Sequence, residues 1–246
     1  MKILVCISKT PDTTAKISFN PDQTAFNTDG VQYIMNPYDE WYALVRAVEL
    51  VEQSGGSVTV INAGPASNEI IIRKALAIGA DDAVRIDFEP SSAMEVAMEI
   101  ARYAQGKEFD IIFTGKETID YNGSEVGGMI AESLGLPYIS FASGLQYDNG
   151  KFELKREVEG GIEIVEVEGP LVVSSAKGLA EQRIPNMRGI MMAKRKPLEV
   201  ITPSNPLSPV HTVKYDLPPE KKGVKMIDPG NMDELVRLLH EEAKVI

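Results

Sequence analysis

Two rhythms of apolar residues alternate along the first half of the chain. Lys2-Ile3-Leu4-Val5-Cys6-Ile7 is short, continuously apolar and rich in β-branched side chains, the pattern of a buried strand. A polar excursion follows from Ser8 to Phe19, then the turn signal Asn20-Pro21-Asp22-Gln23. Asn36-Pro37-Tyr38-Asp39-Glu40 reads as a helix start: Asn36 can cap, Pro37 gives up no needed hydrogen bond, and two acids meet the positive end of the dipole. Trp41, Leu44, Val45 and Val48 then form one apolar stripe, and Gly55-Gly56 ends the helix. The alternation continues with a strand over 57–62, a helix from Pro65 carrying Ile71, Ala75, Leu76 and Ile78 to Gly79, and a short strand over 83–86. A helix over 91–104, a strand over 110–114, a polar loop and a helix around 127–134 complete the series. Strands and helices at this spacing predict an α/β fold, a parallel sheet flanked by helices with right-handed crossovers.

After Leu136 the pattern changes. Residues 139–145, 151–158, 162–168 and 171–174 read as strands joined by Asp148-Asn149-Gly150, Gly160-Gly161 and Gly169-Pro170, so an antiparallel meander is expected over about 139–175. Residues 201–229 carry Pro203, Pro206, Pro209, Pro218, Pro219 and Pro229 and read as an extended arm. Residues 231–244 close the chain as an amphipathic helix with Leu235, Val236 and Leu239 on one face. The expected organisation is an α/β domain over 1–200 and an arm with a terminal helix over 201–246.

Composition narrows the function classes. The 246 residues carry a net charge of -11, which opposes nonspecific nucleic-acid binding. Cys6 is the single cysteine, so no intrachain disulfide can form, and a reducing cytoplasmic setting is expected. His211 and His240 are far apart in sequence, which argues against a metal site. No apolar run reaches membrane-spanning length, and the first strand starts too early for a signal peptide.

Ligands of open parallel sheets bind beyond the carboxyl ends of the strands. Four connections lie there: after Ile7, before the helix at Asn36-Pro37, at Asn62-Ala63-Gly64-Pro65, and over 115–126. The last reads Gly115-Lys116-Glu117-Thr118-Ile119-Asp120-Tyr121-Asn122-Gly123-Ser124-Glu125-Val126. A phosphate could rest on free N–H groups near 122–126, aided by the helix dipole, with Gly123 permitting close approach and Ser124 offering a hydroxyl. A plain strand-to-helix connection would look similar, for there is neither GxGxxG nor GKS/GKT. Lys116 could touch phosphate or be solvated, Asp120 could hold an adenosine or cap a turn, and Cys6 reads as a small core residue that could line a pocket wall. No Ser-His-Asp set and no paired acids at recognisable catalytic positions are present, so binding is favoured over bond-making chemistry. A second feature is the stretch from Arg183 to Pro197, which sets Met187, Met191 and Met192 beside five Lys/Arg. It reads either as a core strand with a basic turn or as a surface made to be touched, since Met suits adaptable contacts.

Three segments carry a resemblance. Asp29-Gly30-Val31 through Met35-Asn36-Pro37-Tyr38-Asp39-Glu40, then Gly115-Lys116-Glu117-Thr118-Ile119-Asp120, then Arg188-Gly189-Ile190-Met191-Met192-Ala193-Lys194-Arg195-Lys196-Pro197-Leu198-Glu199-Val200 together resemble the β (small) subunit of electron-transfer flavoprotein. The likeness runs over nearly the whole chain. It implies an adenine-nucleotide-hydrolase-like α/β domain that holds AMP structurally. It also implies a heterodimer with a larger α subunit that carries the redox FAD. Electrons would come from acyl-CoA or other flavin dehydrogenases, as in fatty acid β-oxidation, and leave for a quinone oxidoreductase. The family's AMP contacts fall on Cys6, on Asn36, Pro37, Tyr38 and Asp39, on Ala63, and on the whole 115–126 loop. Its recognition loop falls on about 179–196, with the apolar anchor at Met187 and with Arg188, Ile190, Met191, Lys194 and Arg195 beside it. Two family positions near the α-chain flavin fall on Tyr38 and Thr13. The arm and terminal helix would pack on the α subunit. Relatives that bind a second FAD and bifurcate electrons often carry a small residue where this chain has Tyr121, so AMP is favoured over a second FAD. Two other readings are an NADH-oxidising bifurcating subunit and a free-standing adenine-nucleotide sensor.

Overall fold

The computed structural model describes residues 1–204, 210–220 and 223–246; Pro206 and Pro209 of the expected arm lie outside the described residues. The first half alternates strongly. Strands β1 (Lys2–Cys6), β4 (Ser57–Ala63), β5 (Asp82–Ile86) and β6 (Ile111–Gly115) are separated by helices α1 (Asp39–Ser54), α2 (Glu69–Ile78) and α3 (Ala93–Ala104). Helix α4 (Val126–Leu134) follows β6. In the sheet the strands pair in parallel, β1 lying between β4 and β6. Their continuous apolar runs reflect burial on both faces. Ile3, Val5, Ile111 and Phe113 face a core shared with α1 and α2, while Leu4, Cys6 and Ile112 face one shared with α3 and α4.

The expected meander holds for three strands. β7 (Tyr138–Asp148), β8 (Lys151–Val158) and β9 (Gly161–Glu168) run antiparallel in sequence order. The fourth, β10 (Leu171–Ser175), departs from it: it sits between β6 and β7 and pairs parallel with both. Every residue of β10 is buried, so its run suits the sheet interior, whereas β9 is mostly exposed and ends the sheet. The full order is β11-β5-β4-β1-β6-β10-β7-β8-β9, where β11 (Leu198–Ile201) is a parallel edge strand on β5.

Three further elements sit on this frame. β2 (Lys9–Pro11), inside the expected polar excursion, pairs antiparallel with β3 (Tyr33–Met35), for which no strand was expected. The Met-rich segment is not a strand: Met187–Ala193 form α5, packed on α2, while the basic residues Lys194 and Arg195 follow it in a turn as expected. The close approach is visible at Gly189, where a Cβ would meet the Ala77 carbonyl oxygen at 2.5 Å. Arg73 Nη1 donates to the carbonyls of Ala193 (2.8 Å) and Lys196 (2.7 Å), fixing the end of α5. At the C-terminus, α6 (Met232–Arg237) is capped by Asn231 and continues into a π-helical turn, Leu238–Ala243. Neither part buries a residue. Among the described residues no helix is long and apolar enough to cross a membrane.

Candidate functional site

The carboxyl ends of β1, β4 and β6 meet the start of α1 and the 115–126 loop. Asn36 is buried there, but it does not cap α1, contrary to the expectation. Its side chain faces the loop instead: Nδ2 donates to the Glu117 carbonyl (3.0 Å) and Oδ1 accepts from the Ile119 N–H (3.1 Å). An Asn buried beside a loop satisfies both ends of its amide on that loop's backbone, and the cap position passes to Tyr38. Tyr38 holds a left-handed φ of 65° and is exposed, as is Thr13. Pro37, Tyr38 and Asp39 line an open pocket of about 240 Å³ with Tyr42, Lys116, Glu117, Ile119 and Lys177.

Glu40 is the group the sequence reading passed over. It is buried and accepts a 2.6 Å hydrogen bond from the Ser8 N–H. Burial pushes its carboxyl up to about 8; the bonds from Ser8 oppose this, and Asp120 and Asp39 add to it. Asp39 is also raised, chiefly by burial. Burial, with Glu40 nearby, drives the Cys6 thiol far above its ordinary value, so Cys6 stays a protonated wall residue rather than a reactive thiolate. Gly115 explains the close packing: a Cβ there would meet Glu40 Cγ at 2.8 Å and Glu40 N at 3.3 Å.

Within the loop, Lys116 pairs with Glu117 (3.0 Å), and Glu117 also accepts from the Ser124 hydroxyl (3.2 Å). The Thr118 carbonyl accepts from the Asn122 N–H, and Asp120 Oδ1 from the Tyr121 N–H. Asn122 (φ 50°) and Ser124 (φ 54°) are left-handed, a costly state for L-residues that persists where the surroundings impose it. Gly123 and Glu125 are exposed, and Val126 opens α4 without a side-chain cap, leaving its first N–H groups open to a ligand. Tyr121 is exposed, with its hydroxyl 3.3 Å from that of Tyr215 in the arm. Tyr215 stacks on Phe19 at 5.0 Å and donates its N–H to the Gln23 carbonyl, so the arm crosses this loop.

Ala63 ends β4 in the 62–65 connection singled out above, where two residues not expected at the site, Asn68 and Arg85, join it. Asn62 Nδ2 donates to the Ile7 carbonyl (2.8 Å), and Asn68 Nδ2 donates to Asn62 Oδ1 (3.0 Å). Buried Arg85 donates to the Gly64 carbonyl (2.9 Å). Among the described residues, several buried polar atoms lack a hydrogen-bond partner: Thr10 Oγ1, Asn68 Oδ1, and, at the ends of β6 and β10, Thr114 Oγ1 and Ser175 Oγ; Arg85 Nε has only a 3.5 Å ion pair with Glu69. An alternating strand and a short turn signal only burial; nothing in their pattern marks a side chain with an unused hydrogen-bonding group.

On the far side of α2, α5 gathers the other candidate residues. Met187 (73 % exposed), Arg188, Ile190 and Met191 (66 % exposed) are on the helix, and Lys194 and Arg195 follow it, all exposed. Arg183 differs, being held by both oxygens of Glu52 (2.8 and 3.1 Å).

Comparison with known proteins adds to this geometry. The family model described as "Electron transfer flavoprotein domain" matches residues 23–206. The chain is 35 % identical to "Electron transfer flavoprotein subunit beta" of Bacillus subtilis (strain 168), over the whole of both chains. It is 32 % identical to the protein of the same description from Homo sapiens, over 100 % of this chain and 99 % of that one. The Syntrophomonas wolfei counterpart is 35 % identical over 93 % of this chain and 90 % of its own.

Proposed function

The chain belongs to the electron transfer flavoprotein family as a β subunit, an electron-carrier subunit, and from that premise we propose that it holds AMP as a structural ligand, pairs with an α subunit, and docks the flavin dehydrogenases that supply electrons. The observation that carries the nucleotide reading is the set of unused polar groups where parallel strands end: the uncapped start of α4 and the orphaned Thr114, Ser175 and Asn68. An adenine mononucleotide suits these donors and acceptors. Its phosphate belongs with the α4 N–H groups and Ser124, and its base and ribose with the walls made by Cys6, Asn36 and Ala63. AMP supplies no covalent chemistry there; it fills and ties together the strand ends. Tyr121, tied to Tyr215, closes the outer side of the loop. That favours a ligand ending at its phosphate over one running on as FAD. The FAD that changes redox state belongs mainly to the α subunit.

In docking, Met187 enters an apolar pocket on the dehydrogenase, with Ile190 and Met191 beside it, while Arg188, Lys194 and Arg195 form a cationic rim that speeds encounter. The FAD, held mainly by the α subunit, would supply the electron relay toward a quinone oxidoreductase, while this chain's part is the docking surface. AMP added to heterodimer stripped of nucleotide should raise its stability by RT ln(1 + [L]/Kd), about 4 kcal/mol at a thousandfold excess over Kd. A melting temperature unmoved by AMP would remove the nucleotide from the account.

A further inference from the structure

The amide of Asn68 has one oxygen with nothing to accept from. Its orientation is forced. Ile7 offers only a carbonyl, so Asn62 must present its NH₂ to it, and Asn62 Oδ1 then takes the NH₂ of Asn68. Asn68 Oδ1 is left over, on a side chain in a residue 4 % exposed, without a partner. A buried acceptor without a donor costs about 1–3 kcal/mol, a strong incentive for a ligand N–H. Lys9, which reaches the same turn, is already engaged, with Nζ donating to Ser67 Oγ (3.2 Å) and lying over the Tyr33 ring at 4.7 Å.

The place of this acceptor in the sheet says what it reads. Asn68 ends the 3₁₀ turn Ala66–Asn68 after β4, two strand spacings from β6, about 10 Å across the sheet top. The β6 side carries the uncapped helix start suited to phosphate. A mononucleotide with its phosphate at that helix start and its base extended toward β4 would bring the base to the Asn68 turn. We propose that Asn68 is a specificity-determining residue for the nucleotide, its Oδ1 accepting from the exocyclic amine of adenine, with Asn62 as the positioning residue that fixes the amide. This rests on the nucleotide reading above. Gly64 belongs to the same device, since a Cβ there would meet Asn68 Nδ2 at 2.0 Å and displace the amide.

The test is a cycle between protein and ligand on the α–β heterodimer stripped of nucleotide, titrated with AMP and with purine riboside monophosphate, which lacks only the 6-amino group. In the parent complex, loss of the amine should weaken binding about tenfold. In Asn68→Ala, AMP should bind about tenfold more weakly than to the parent, and AMP and the analogue should bind within about threefold of each other. Equal penalties for losing the amine in parent and variant would overturn the assignment. If the variant does not assemble, the parent alone decides, because equal affinity for AMP and the analogue also overturns it. A parent complex that binds neither ligand would instead sink the nucleotide reading itself.

Discussion

Glu40 shows how one residue can couple this site to pH. It is buried with its carboxyl raised to about 8, whereas in the unfolded chain it titrates near its ordinary 4.5. A folded value above the unfolded one means that the stability Glu40 contributes is fully present below about 4.5 and is lost as pH rises toward 8. Glu40→Gln keeps an acceptor for the Ser8 N–H and removes the titration. Urea unfolding of the variant should show a flatter pH dependence from 5 to 8, the parent falling by up to about 1.4 kcal/mol more per pH unit. Parallel curves would contradict the buried-acid assignment. Met187 makes the opposite kind of claim, because its exposed side chain does little for the fold. Met187→Ala should leave the flavin spectrum and melting temperature unchanged and lower kcat/KM for electron delivery by the dehydrogenase roughly 30-fold, about 2 kcal/mol. Turnover equal to the parent's would remove Met187 from the docking face. Of these two residues only Met187 was legible in the sequence. An apolar side chain among cations is conspicuous in any fold, whereas an acid in the first turn of a helix reads as an ordinary dipole partner until packing buries it.

At the scale of elements, the site depends on how closely the end of β6 approaches the start of α1. Gly115 permits that approach, and Asn36 bolts the following loop to it. Gly115→Ala must push Glu40 outward, which should cost about 1–3 kcal/mol of stability and lower the nucleotide content of the purified complex. A variant of parental stability and full nucleotide content would show that the contact has room to relax. The alternation of strands and helices before Leu136 was legible because doubly buried strands and one-faced helices write different periods into a sequence. The position of β10 was not. Its turn-like entry at Gly169-Pro170 suggests one more hairpin, and only its full burial between β6 and β7 reveals a parallel interior strand. Helix α5 was equally hidden, since seven residues are too few to establish a helical period, and its hold on α2 comes through Arg73 and the bare backbone at Gly189.

As a whole molecule, the protein separates its two surfaces. The loops proposed to hold the nucleotide lie at the carboxyl ends of the strands, and the Met-rich basic helix packs against α2, a cationic patch on a chain of net charge -11. The arm passes over the loop at Tyr121, and the terminal helix leaves its apolar residues unburied by this chain. Those features fit half of a carrier whose other half holds the working flavin. They also fit a nucleotide that serves as scaffold rather than redox centre. The most direct test is to denature the purified heterodimer and quantify each released nucleotide against protein. The account predicts one FAD and one AMP per heterodimer. Two FAD and no AMP would make this chain a second flavin site, and FAD alone, with no adenine mononucleotide, would contradict the structural role assigned to the strand ends.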